Sequence, residues 1–169
     1  MARRCRKDQI MEHSYYVYDS PFGNIMICSD GKAIMRIALE GGIKPTGCNK
    51  ANALTDKAAG QLNEYFSGKR REFDVPLDPQ GTQFQRIVWK ALLEIPYGET
   101  RSYKQIAQMV NNPKAYRAVG MANNKNPIWI VIPCHRVIGA DGSLTGYGGG
   151  LEMKQRLLEL EKAESASSK

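Results

Sequence analysis

Cys134 stands directly before His135 in "IVIPCHRVIG", residues 130–139, where an apolar run ends. A thiol beside an imidazole suggests nucleophilic chemistry. Only the thiolate attacks, and a free cysteine with a pKa of about 8.5 is a few per cent ionised at neutral pH. An imidazole can take the thiol proton, and a carboxylate behind it fixes its tautomer and orientation. The candidate carboxylate is Glu161, on the same predicted helix face as Lys154, Leu157 and Leu158; Glu152 and Glu159 are alternatives by spacing. Neighbouring side chains on an extended backbone point to opposite faces, so a bend at Pro133 or a bridging water has to connect Cys134 with His135. The plain alternative is a buried cysteine packing as a small hydrophobe beside a structural histidine.

The elements that must position this pair follow from periodicity and end signals. Residues 14–40 read as a β-meander, with Asp30-Gly31 signalling a type I′ hairpin. Helical spacing predicts a helix over 53–66, ended by Gly68, and "FDVPLD" (73–78) reads as a short edge strand. "PQGT" (79–82) marks a boundary between an N-terminal domain, 1–79, and a C-terminal domain, 80–169. Thr82 and Gln85 form a capping box ahead of an apolar face made of Phe84, Ile87, Val88, Ala91, Leu92 and Ile95. Ser102 and Gln105 form a second box, opening a helix through Val110. Asn112 as N-cap with Pro113 behind it predicts a further helix over 113–123. An apolar strand over 128–132 leads to the Cys-His pair. A glycine-rich loop (139–150), a helix over 151–162 and a disordered tail follow.

The two helices before the apolar strand, joined by a very short turn, have helix-turn-helix grammar. The second carries the small residues Ala115, Ala118, Gly120 and Ala122, with Arg117 as the long cation standing among them. Gly120 inside a helix costs about 1 kcal/mol relative to alanine, and close approach of another surface is the natural compensation. A helix packed tightly within its own protein is the competing explanation.

The totals narrow the function classes. The chain of 169 residues carries 24 Lys and Arg against 17 Asp and Glu, a formal charge of +7 that suits a polyanionic partner, nucleic acid first. No apolar run is long enough to span a membrane, and the basic stretch "MARRCRKDQI" lacks the apolar core of a secretory signal. It reads as a frayed tail. Four cysteines without a CxxC pair, and only two histidines, predict free thiols in a reducing compartment and no metal site. The expected setting is intracellular, cytoplasmic in a prokaryote and nuclear in a eukaryote.

"NPIWIVIPCHRVIG" resembles the active-site signature of the O6-alkylguanine-DNA alkyltransferases, and "FQRIVWKALLEIPYGETRSYKQIA", "RAVGMANNKNP" and "GYGGGLEMKQRLLELE" follow in that family's order and spacing. The resemblance is strong over 82–162 and weaker before it. It implies an α/β ribonuclease H-like N-terminal domain and a mainly helical, winged-helix-like C-terminal domain with a helix-turn-helix. It also implies direct-reversal DNA repair without a cofactor. Cys134 would accept the O6-alkyl group of a flipped guanine, once per molecule. His135, polarised by Glu161, would take the thiol proton through water, and Asn126 would tie the active-site turn. Tyr103 would protonate guanine N3, and Arg117 would fill the gap left by the extruded base. The expected DNA-contacting set is Tyr103, Lys104, Asn112, Arg117, Ala118 and Gly120, meeting the minor groove. The expected base pocket is Trp129, Val137, Tyr147 and Gly148. The implied partner is duplex DNA carrying O6-alkylguanine, with O4-alkylthymine as a further candidate lesion, bound by a monomer.

Two positions depart from the family pattern. Trp129 stands where many relatives have a smaller residue or proline, and would narrow the alkyl pocket if it lines it. Gly148 replaces a common serine or alanine, which would loosen the loop. Two other classes compete: a cysteine hydrolase using Cys134, His135 and Glu161, and a helix-turn-helix protein that binds lesions or regulates without transfer. The alanines on the second helix, where base-reading side chains would stand, weigh against a regulator.

Overall fold

The computed structural model describes residues 13–42, 44–45 and 47–167. Strands β1 (Ser14–Tyr18), β2 (Ile25–Ser29) and β3 (Ile34–Leu39) form the antiparallel meander, and β4 (Cys48–Asn49) adds in parallel beside β1, giving the order β3-β2-β1-β4. Helix α1 (Ala53–Phe66) packs on this sheet through Ala58, Leu62 and Tyr65, which join Ile25 and Ile27 in the core. Its N-terminus is a capping box between Asn52 and Thr55, and Gly68, at φ +76°, accommodates the reversal that ends it.

The remaining chain forms α2 (Gln83–Leu92), α3 (Tyr103–Met109), α4 (Tyr116–Asn124) and α5 (Leu151–Ala166), with a short parallel ladder between β5 (Arg101–Ser102) and β6 (Val137–Ile138). Both expected capping boxes are present, Thr82 with Gln85 on α2 and Ser102 with Gln105 on α3. The fold is therefore a small mixed-sheet region followed by a mainly helical one that contains the α3–α4 pair. Most of its buried apolar residues form one cluster running from Ile25 to Leu157. No helix among the described residues is long and apolar enough to cross a membrane.

Several local expectations are corrected. Asp30 keeps a negative φ, and the turn instead centres on Gly31, at φ +86°, and Lys32; the Asp30 carboxylate accepts from the Lys32 and Ala33 N–H groups and sets this register. Segment 73–78 reduces to one bridge between Leu77 and Ile34. Ile87 is 45 % exposed, and Trp89 takes its place in the core with its indole N–H donating to Ala122 O at 2.8 Å. Helix α4 begins at Tyr116 rather than Pro113, because Asn111 turns the chain at φ +58° and residues 112–115 close a separate turn through Ala115 N–H to Asn112 O. Helix α5 continues to Ala166, so residues 164–166 are ordered into it. Cys48 is disulfide-bonded, against the expectation of free thiols throughout. The expectations for 1–10, and for Cys5, lie outside the described residues.

The largest correction concerns the predicted strand over 128–132. Ile128 pairs with Ile37 of β3 and Trp129 bridges back to Ile132, while Ile130 adopts φ +73°. The cause is Asn126. Its side-chain amide donates to Ile128 O at 3.2 Å and Ile132 O at 2.8 Å, and its oxygen accepts from Ile128 N–H at 2.9 Å. An amide side chain that takes up these backbone groups leaves an apolar run unable to extend a ladder.

Candidate active site

Cys134 opens a 3₁₀ turn, Cys134–Arg136, immediately after Pro133. With three residues per turn, consecutive side chains diverge by about 120°, not the opposition of a strand. This local geometry lets a Cys-His dipeptide face one centre. The thiol is 3 % exposed, and burial pushes its pKa up to about 11, with the Asn126 side chain and the Lys154 ammonium pulling the other way. The resting nucleophile is a thiol and needs a base.

His135 is fully buried, and burial holds its pKa below 6.5, so it is neutral at physiological pH. Its Nε2 lies 2.8 Å from Glu161 Oε1. A carboxylate only accepts, so Nε2 carries the hydrogen and Nδ1 keeps the lone pair. Nδ1 has no partner among the described residues. The free lone pair is what a general base requires.

Glu161 is the hub. Burial raises its pKa, but the bonds from His135 and Arg136 outweigh that and bring it to about 2. Arg136 Nε donates to Oε2 at 2.9 Å and its Nη2 to Oε1 at 2.9 Å; Tyr65 Oη donates to Oε1 at 2.7 Å, and Gly98 N–H to Oε2 at 3.3 Å. Of the three carboxylates allowed by spacing, the buried one is Glu161, while Glu152 and Glu159 are exposed.

Four unpartnered buried polar atoms occur among the described residues: Tyr97 Oη, Asn123 Oδ1, His135 Nδ1 and Tyr147 Oη. Three belong to residues around Cys134. Asn123 Nδ2 donates to Cys134 O at 3.4 Å, His135 is its neighbour, and the Tyr147 hydroxyl is raised by burial and then by the nearby Cys134 charge. Buried polar groups are normally satisfied, and these three atoms are free to bond a polar group brought to the thiol.

Tyr103 opens α3 and donates its hydroxyl to Thr145 O at 2.8 Å. Lys154 Nζ, fully buried, donates to the same carbonyl at 2.9 Å and to Val137 O at 2.6 Å. Lys154 thus links Tyr103 and Val137 to the glycine-rich loop. Tyr103, Tyr116, Gly120, Asn124, Thr145 and Gly146 line an open cleft of about 260 Å³. On the outer face of the α3–α4 pair, Lys104, Asn112, Arg117 and Ala118 are all exposed. The Lys104 ammonium and the Arg117 guanidinium each lie over the Tyr116 ring, 5.8 and 5.9 Å from its centroid. Met121, 65 % exposed, occupies the next turn beyond Arg117.

Sequence reasoning missed Tyr65, Arg136, Lys154 and Asn123 as members of this site. Arg136 stood within the quoted motif, and Lys154 stood on the same predicted face as Glu161. Nothing in the local pattern pointed to Tyr65.

A helix-turn-helix domain with a buried thiol, a neutral imidazole and a carboxylate at its back defines a DNA-binding protein with a nucleophilic cysteine. Two family models match: 6-O-methylguanine DNA methyltransferase, ribonuclease-like domain, over residues 14–79, and the DNA binding domain of the same enzyme over 83–163. The chain belongs to this family, the methylated-DNA--protein-cysteine methyltransferases. It is 51 % identical to the Methanosarcina barkeri methyltransferase of that name over 152 residues, 88 % of this chain and 96 % of that one. The Mycobacterium bovis protein is 51 % identical over 154 residues, 89 % of this chain and 93 % of that one. The crystal structure of Mycobacterium tuberculosis OGT in complex with DNA superposes with a TM-score of 0.85 at 50 % identity, covering 89 % and 94 % of the two chains.

Proposed function

We infer that this protein repairs DNA by direct reversal, moving the O6-alkyl group of guanine onto its own Cys134. The carrying observation is the neutral His135 imidazole, held by Glu161 through Nε2 with its Nδ1 lone pair free. The C-terminal region, 80–169, holds the thiol, the imidazole and the DNA-facing helices. The N-terminal region, 1–79, supports them.

The O6 carbon of a stacked guanine is out of reach, and extruding the base costs a few kcal/mol. Helix α4 approaches the minor groove through Ala118 and Gly120, and Arg117 occupies the gap by stacking. Lys104 and Asn112 contact the backbone beside it. The base enters beside Tyr103 toward Val137, Tyr147 and Gly148. His135 Nδ1 takes the Cys134 proton through a water. The thiolate forms a carbon–sulfur bond as the carbon–O6 bond breaks. The electron pair left on guanine is neutralised by a proton from Tyr103 to N3. Tyr103 must first leave Thr145 O, and Lys154 keeps that carbonyl satisfied when it does. Asn126 holds the turn throughout. No group in the site can reverse a thioether, so each molecule acts once. O4-alkylthymine presents the same alkyl ether and is a second lesion of this chemistry. Every group invoked lies on one chain, so a monomer suffices.

Intact-mass measurement after incubation with duplex DNA containing O6-methylguanine tests this reading. One added methyl, absent in Cys134→Ser, is the expected result. Product continuing beyond one equivalent would point to a turnover enzyme, and binding without a mass change to a lesion-binding protein.

A further inference from the structure

Helices α3 and α4 begin alike. Each opens with a tyrosine followed by a cation, Tyr103 with Lys104 and Tyr116 with Arg117. The two turns reach across to each other. The Tyr103 ring is what a side chain on Gly120 of α4 would meet, at 3.7 Å, and the Lys104 ammonium of α3 lies 5.8 Å from the centroid of the Tyr116 ring. The Arg117 guanidinium lies over the same ring at 5.9 Å. Neither cation forms a salt bridge among the described residues. The first turn of α4 holds no acidic residue and no capping side chain, so Arg117 stands at the positive end of that helix dipole with no opposite charge in its turn. The negative face of the Tyr116 ring is what the protein itself offers both cations.

Stability does not account for a tyrosine here. Tyr116 is 38 % exposed and takes no part in the apolar core, whereas Tyr103 packs against it. An aromatic residue is also a poorer helix former than alanine. What the ring does supply is order. A solvated arginine samples many rotamers, and placing its guanidinium inside a duplex freezes them. A ring that already holds the guanidinium meets part of that entropy cost before DNA arrives. Because Lys104 rests on the same ring, the contact also joins the start of α4 to the turn of α3 that carries Tyr103.

We propose that Tyr116 is a positioning residue for base extrusion, its ring holding Arg117 ready to enter the duplex and tying that arginine through Lys104 to the helix of Tyr103. The proposal rests on the gap-filling reading of Arg117. It assigns the effect to the face of the ring and not to the hydroxyl.

The test compares single-turnover transfer from duplex O6-methylguanine and from the free base, with melting temperatures, for the wild type, Tyr116→Phe, Tyr116→Leu, Arg117→Ala and the variant combining the last two. Tyr116→Leu should lower the duplex rate about three- to tenfold and leave the free-base rate within about twofold. Tyr116→Phe keeps the ring face and should match the wild type on both substrates. In the combined variant the leucine should cost nothing beyond Arg117→Ala, the non-additivity of residues that act as one unit. If Tyr116→Leu does not fold, Tyr116→Met carries the same comparison. A duplex rate unchanged by Tyr116→Leu, equal losses on the two substrates, a loss in Tyr116→Phe as large as in Tyr116→Leu, or a full further loss in the combined variant overturns the proposal. An Arg117→Ala protein that repairs duplex as fast as the wild type overturns the gap-filling reading itself.

Discussion

Tyr65, on the helix that covers the N-terminal sheet, donates its hydroxyl to Glu161 Oε1 at 2.7 Å across 96 residues of sequence. The same oxygen receives His135 Nε2. The N-terminal region therefore completes the shell around the carboxylate that orients the base. Its ring also packs on Phe66, Phe73 and Tyr97, so the hydroxyl is aimed by aromatic contacts. Tyr65→Phe keeps those contacts and removes one charge-assisted bond. It should lower stability by about 1.5–3 kcal/mol in urea denaturation. Alkyl transfer should stay within a few-fold, because His135 and Arg136 still hold Glu161. A hundredfold loss of transfer in a folded variant would mean that Tyr65 itself takes part in the chemistry.

Glu161→Gln is expected to be far more damaging. Arg136 is 6 % exposed, and its Nε and Nη2 both point at this carboxylate. A neutral amide leaves that buried guanidinium uncompensated, which costs about 3–5 kcal/mol. Circular-dichroism melting should show a large drop or no folded population. A melting temperature within two or three degrees of wild type would show that Arg136 finds another partner.

Acid sensitivity follows from the same cluster. The Glu161 carboxyl lies at about 2, against an ordinary 4.5, so the folded state binds its proton more weakly than the unfolded chain does. That stabilisation is complete above about 4.5 and is lost as pH falls toward 2. His135, lowered below 6.5 by burial, acts in the same direction over a higher range. The melting temperature should begin to fall below about pH 6.5 and steepen below 4.5. A melting temperature flat between pH 7 and pH 4.5 would contradict the His135 assignment, and one flat from pH 4.5 down to pH 2 the Glu161 assignment.

Arg117 is exposed at the start of α4 with no salt bridge among the described residues, so replacing it should leave the fold intact. Arg117→Ala should remove about 1–3 kcal/mol of stacking on duplex DNA, roughly tenfold to a hundredfold in the rate of duplex repair. Transfer from free O6-methylguanine base should barely change. Equal losses on the two substrates would refute the gap-filling role.

Gly120 is not explained by the protein's own packing. A Cβ there would meet the Tyr103 ring at 3.7 Å, an ordinary contact, and its φ is not positive. Gly120→Ala should therefore stabilise α4 by about 1 kcal/mol, or roughly 2–4 °C by calorimetry. Binding to duplex DNA, followed by fluorescence anisotropy, should weaken, since the compensation for the glycine lies in the groove. Stabilisation with unchanged DNA affinity would remove the argument for close approach.

The sequence by itself determined what local chemistry controls. The capping boxes at Thr82–Gln85 and Ser102–Gln105 and the extent of α1 could be read directly, because a side chain that bonds a backbone group three residues away needs no distant partner. The Cys134–His135 adjacency is in the sequence itself, and helical spacing brought Glu161 forward with Glu152 and Glu159 as alternatives. Tertiary structure decided the rest. Asn126 turned an apolar run into a folded-back segment, Asn111 delayed α4, and Tyr65, Arg136 and Lys154 entered the site from three separate elements. These outcomes depend on which buried polar groups find partners once the core has closed. For Tyr65, Arg136 and Lys154 those partners lie tens of residues away, beyond any local pattern, and for Asn126 the choice is between its own neighbouring backbone groups and a ladder that only the closed core offers or withholds.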